Sequence, residues 1–215
     1  MPQPTTPEED LAFMRSIVEG GAPRAAYTAG VVYLSSGLLY GAQCLFHLGQ
    51  ATGLILWPGW ASLGVVLLVL LATLGCILWA VLHDRRVGRR TNVGNTRAMN
   101  AAFNAAGVAN LAFLVMFGVN AVRMENFAIW LFYPAVVFAV QGAVWFIAWQ
   151  LKRRTWMMFT SIGGLITSVA LGLLVENGLA YLGVCTAALF GLFALPGWIM
   201  VRDARAWNAR SASLA

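Results

Sequence analysis

Runs of apolar residues about 20 long recur along the chain, separated by short polar stretches that hold most of its charge. A helix rising 1.5 Å per residue needs about 20 apolar residues to cross a hydrocarbon core of about 30 Å. Six stretches meet that length: 25–48, 60–82, 101–122, 127–149, 156–175 and 179–201. No stretch alternates apolar and polar positions as a lipid-facing barrel strand does. Helices satisfy their backbone polar groups internally and are the spanning element this pattern predicts. The connections Arg123-Met-Glu-Asn126 and Glu176-Asn-Gly178 are too short for anything but antiparallel neighbours. The expected fold is therefore all-α: a six-helix integral membrane bundle built from three helical hairpins.

A shorter helix is expected ahead of the first span, over 7–19. Thr6 can cap it, Pro7 suits the first helical position, and Glu9 completes a capping box. Leu11, Met14, Ile17 and Val18 fall on one side at helical spacing, and Gly20-Gly21 ends the segment. This amphipathic piece is expected in the membrane interface or against the inner loops, with partner docking as the sharper alternative. The organisation is thus an N-terminal segment over 1–24, a transmembrane domain over 25–201 and a tail over 202–215.

Composition agrees with this plan. Of 215 residues, 60% are hydrophobic and 10% charged, against about 25% charged in soluble domains. A soluble or disordered chain is excluded. The basic residues set an orientation. With the N-terminus inside, Arg123 is the single outer one of the 14 Lys and Arg residues. Both termini are then cytoplasmic in an inner (plasma) membrane. The pI of 9.8 reflects helix ends, not a nucleic-acid footprint. Four arginines of the loop 83–99, Arg85, Arg86, Arg89 and Arg90, are candidates for anionic headgroups at about 1 kcal/mol each. The simpler account of them is a topology signal with snorkelling side chains. The acidic N-terminal residues give no basic n-region of a cleavable signal, so the first span is expected to direct its own insertion.

Polar groups inside spans are the candidate chemistry. Ser36, Tyr40, Gln43 and His47 fall within an arc of about 60° on span one, with Tyr33 beside it. Asn104 and Asn110 in span three and Gln141 in span four join them as candidates to line a cavity, with interhelical hydrogen bonding as the structural alternative for the span-one stripe. The asparagines are expected to point into the bundle. Gly30, Gly37 and Gly41 lie near the edge of the span-one stripe. Gly164, Ser168 and Gly172 form a four-residue stripe of small residues that reads as a packing seam in span five. Pro134 and Pro196 are expected to kink their helices. The even spans end alike, with a glycine about ten residues before the basic end and Trp79, Trp145 or Trp198 between, a weak threefold repeat.

No catalytic, cofactor or metal signature is present. His47 and His83 fall at opposite ends of their spans and cannot share a haem. Cys44, Cys76 and Cys185 show no ligand spacing and read as small hydrophobes. No carboxylate sits mid-span, which weighs against ion-coupled transport. The six-span plan with short outer loops resembles small bacterial inner-membrane proteins, with no motif that ties it to a family. The leading expectation is a non-enzymatic protein that binds or passively transports a small polar or amphipathic solute through an intra-bundle cavity. The alternative is a non-catalytic scaffold, assembly factor or regulatory subunit, acting with a membrane partner or a second copy.

Overall fold

The computed structural model describes residues 22–87 and 94–213. The described residues form helices α1 (Ala22–Ala51), α2 (Gly59–Val87), α3 (Gly94–Arg123), α4 (Ala128–Lys152), α5 (Thr155–Leu173), α6 (Gly178–Leu189) and α7 (Leu195–Ser213). A π-helical turn, Phe190–Ala194, joins α6 to α7, so the two make one span. Among the described residues six helices are long and apolar enough to cross a membrane, and the protein is a multi-pass membrane bundle. The amphipathic helix expected over 7–19 lies outside the described residues, as do Arg89 and Arg90. Arg85 and Arg86 fall in the last turn of α2. The helices overrun the apolar cores: α3 begins at Gly94, and α7 continues to Ser213, twelve residues beyond the apolar run that ends at Val201.

Local chemistry fixes the turns. Arg153 takes a left-handed backbone (φ 53°) and its N–H returns to Trp149 O at 2.7 Å, closing α4 before an extended Arg154 starts α5. Asn177 caps α6 by accepting from the Ala180 N–H at 3.2 Å. At the start of the α1–α2 connection, Gln50 Nε2 donates to Ser62 Oγ at 2.8 Å, and His47 Nδ1 lies 3.1 Å from Gln50 Oε1. His47 is thus part of a helix-end staple.

The tightest packing runs between hairpins. In the α4–α5 pair, Ser161 Oγ donates to Gly142 O at 2.8 Å, and a Cβ on Gly164 would lie 3.1 Å from Gly142 Cα. The expected seam of Gly164, Ser168 and Gly172 is corrected here. Gly164 belongs to the contact, but Gly172 faces open space, and the small group that completes the seam is Ser161. A second close crossing joins α1 to the last span. Cβ atoms added at Gly30, Gly37 and Gly197 would run into Met200, Ala194 and Leu34. Backbones this close gain dispersion contacts that lipid tails cannot supply.

Pro134 sits inside a continuous α4. Around Pro196 the deviation is the π turn, where Leu195 N–H reaches Phe190 O, five residues back. Proline removes a donor and crowds the carbonyl four residues before it. The wider turn shifts the hydrogen-bond register just ahead of that point. The turn also sets Phe190 against Gly41 and Ala194 against Gly37.

α2 and α3 are the outlying helices. α2 packs extensively on α1 alone, burying Val69, Thr73 and Ala80, while Leu63, Leu67, Leu71, Leu74 and Leu78 face outward. α3 packs chiefly on α4, and among its residues with described side chains it buries only Met99 and Ala106. Most of α3 therefore faces outward, which overturns one expectation: Asn104 is exposed on the outside of the bundle rather than turned into it.

Candidate functional site

α1 and α4 are not one of the extensively packed helix pairs; side chains bridge them. The bridge centres on Tyr33. Its hydroxyl donates to Gln141 Oε1 on α4. Its ring stacks on Phe193 (5.4 Å, 19°) and meets Trp145 and Phe103 edge-on at 5.4 and 5.7 Å. Phe103 and Trp145 meet at 5.2 Å, Trp145 and Trp156 at 5.3 Å, and Phe138 and Phe193 at 5.6 Å. Each such pair adds about 0.5–1.5 kcal/mol beyond area burial. The cluster draws on α1, α3, α4, α5 and the π turn, and Met99, Met157 and Met200 pack around its basic-end side. Rings fill the space between α1 and α4 at this level.

The sequence candidates divide into three groups. Tyr33 and Gln141 meet directly. His47 belongs to the Gln50–Ser62 staple, and Asn104 faces outward. Ser36, Tyr40, Gln43 and Asn110 are half-buried. Among these, Gln43 Oε1 on α1 and Asn110 Oδ1 on α3 are buried acceptors with no hydrogen-bond partner. The indole N–H groups of Trp145 and Trp156 likewise have none. Two open grooves on the surface of the described residues are apolar. One is lined by Trp57, Trp60 and Leu68, the other by Leu165, Val169 and Leu173, and neither includes a stripe residue.

Sequence reasoning missed Ser161, Tyr181 and the cysteine pair. Tyr181 Oη donates to Leu131 O at 2.7 Å, anchoring α6 to α4. Cys44 Sγ and Cys185 Sγ lie 3.7 Å apart. At the basic end, Arg154 pairs with Asp203 at 2.9 Å, Arg202 covers the Trp198 ring at 5.2 Å and Arg153 covers Trp149 at 5.7 Å. These exposed contacts suit a headgroup layer and add little stability each.

Among the described residues no group of three or more His, Cys, Asp or Glu side chains is placed to hold a metal ion. The chain matches no protein-family model, no curated protein and no solved structure.

Proposed function

We propose that this protein is a non-catalytic membrane subunit that associates laterally with another transmembrane helix through the outer face of α3. The observation that carries this reading is Asn104. Its amide is exposed on a membrane span, about 9 Å along α3 from the start of the span at Ala98. Ala101, Ala105, Val108, Ala112 and Val115 continue the same outward face at helical spacing. Small residues admit a close backbone, and an asparagine amide gives and accepts a hydrogen bond across the interface. Polar side chains inside a membrane are otherwise expensive. The basic end is taken to face the cytoplasm of an inner membrane, following the distribution of arginine.

A photo-crosslinking residue placed at Asn104 in native membranes tests this reading. It is expected to give a protein adduct, either a second copy or another membrane protein. The same residue at Phe132, exposed on α4, is expected to give lipid adducts. Lipid adducts alone at Asn104 would remove the proposal.

A second reading has its own observation. The unpartnered buried oxygens of Gln43 on α1 and Asn110 on α3 would each suit a polar solute or water. On that reading Gln43→Leu leaves the melting temperature in detergent unchanged or raises it, because no protein bond is lost and a buried acceptor is removed. A fall of several degrees would show that the amide is bonded within the bundle and remove the solute reading.

A further inference from the structure

Cys44 and Cys185 are 141 residues apart in sequence, yet their sulfurs lie 3.7 Å apart. Cys44 lies seven residues before the end of α1 at Ala51, and Cys185 seven residues after the start of α6 at Gly178. Each is therefore about 10 Å in from the same end of the bundle. Cys185 is buried and Cys44 is partly exposed. Their surroundings, Ala135, Phe138, Leu171, Tyr181 and Ala188, are apolar apart from a tyrosine hydroxyl already bonded to Leu131 O. One turn deeper, the close approach of Gly41 to Phe190 holds α1 against the last span. A disulfide needs the sulfurs to close to about 2 Å. From 3.7 Å the two sulfurs have to approach by less than about 2 Å. Cys76, the third cysteine, is on α2 and outside this cluster.

We propose that Cys44 and Cys185 form a dithiol–disulfide couple, oxidised by a lipid-soluble quinone. Two S–H bonds break and one S–S bond forms. The two electrons and two protons pass to the quinone, which becomes the hydroquinone. The depth of the pair selects the oxidant. A protein disulfide working from the aqueous phase would have to bring its sulfur about 10 Å into the bundle, whereas a quinone dissolves in the bilayer and meets the partly exposed Cys44 from the side. The oxidised couple ties α1 to α6 covalently. This inference rests on the thiol pair alone and is independent of any partner on α3.

The test uses the full chain in lipid nanodiscs. The protein is reduced, freed of reductant and treated with a fully substituted benzoquinone carrying a short alkyl tail. It is then denatured and labelled with a mass-tagged maleimide. Reduced protein carries three tags, on Cys44, Cys76 and Cys185. Quinone treatment is expected to leave one, on Cys76, with one hydroquinone formed per chain and all three tags restored by a second reduction. Cys44→Ser and Cys185→Ser are each expected to keep two tags throughout. Three tags after quinone would overturn the proposal, even if a stronger oxidant closed the bond. So would equal loss of tags in the serine variants, or loss that reductant does not reverse.

Discussion

Gly37→Leu is expected to prevent or severely weaken folding, with a loss of about 3 kcal/mol or more where any folded protein remains. A Cβ at Gly37 would overlap the backbone nitrogen, Cα and Cβ of Ala194, so no side-chain rotation relieves the clash. The helices must separate, and the π turn at Phe190–Ala194 moves with them. Gly197→Leu is expected to match it, because its Cβ would meet the Leu34 backbone from the other side of the same crossing. Gly172→Leu is the control: nothing lies within 4 Å of its Cβ position, and the helix gains propensity. Unfolding in mixed micelles, followed by circular dichroism, reads all three. Equal behaviour of Gly37→Leu and Gly172→Leu would mean that the α1 crossing is looser than described.

Why the sequence disclosed the spans and hid their pairing follows from the solvent. In water an apolar face marks the core, but in a bilayer lipid-facing and packed residues are equally apolar. Leu74, exposed on α2, and Leu171, fully buried on α5, are indistinguishable by hydropathy. Length and charge survive this loss, which is why the six spans were visible and their ends were placed within a few residues in most cases. The π turn was not legible, since Pro196 announces a disturbance but not its kind. Small-residue spacing points to Gly164, which is in a contact, and equally to Gly172, which is not, because spacing does not reveal which neighbour arrives; the close approach at Gly37 carries no such signal. Polar residues were the better guide where a partner existed within the chain. Tyr33 and Gln141, 108 residues apart and both polar positions inside spans, hydrogen-bond to each other. The rule that every amide points inward failed at Asn104, since α3 has one main neighbour and more surface than that neighbour covers. The cysteines gave no signal at all, as pairing across 141 residues depends wholly on how α1 and α6 pack.

Tyr33→Ala is expected to cost the bundle several kcal/mol. The ring contacts Phe103, Trp145 and Phe193, and the hydroxyl holds Gln141. Truncating a large core aromatic costs about 3–5 kcal/mol, and partly buried Tyr33 is expected at the lower end of that range, because rings held by separate helices cannot all move in to fill the space. Tyr33→Phe keeps the ring and removes one interhelical hydrogen bond, worth about 0.6 kcal/mol and at most about 1.7 inside a membrane. The ratio of the two losses therefore measures how much of the α1–α4 bridge is packing and how much is polar. The four-member cycle of wild type, Tyr33→Phe, Gln141→Leu and the double variant isolates the polar part. If the hydroxyl and the amide serve chiefly each other, the double variant is expected to be no less stable than Gln141→Leu alone, since the second change then removes an orphaned group rather than a bond. Additive losses would mean that each group has another partner, such as water between α1 and α4, and would place a hydrated gap where the rings are described as closing it.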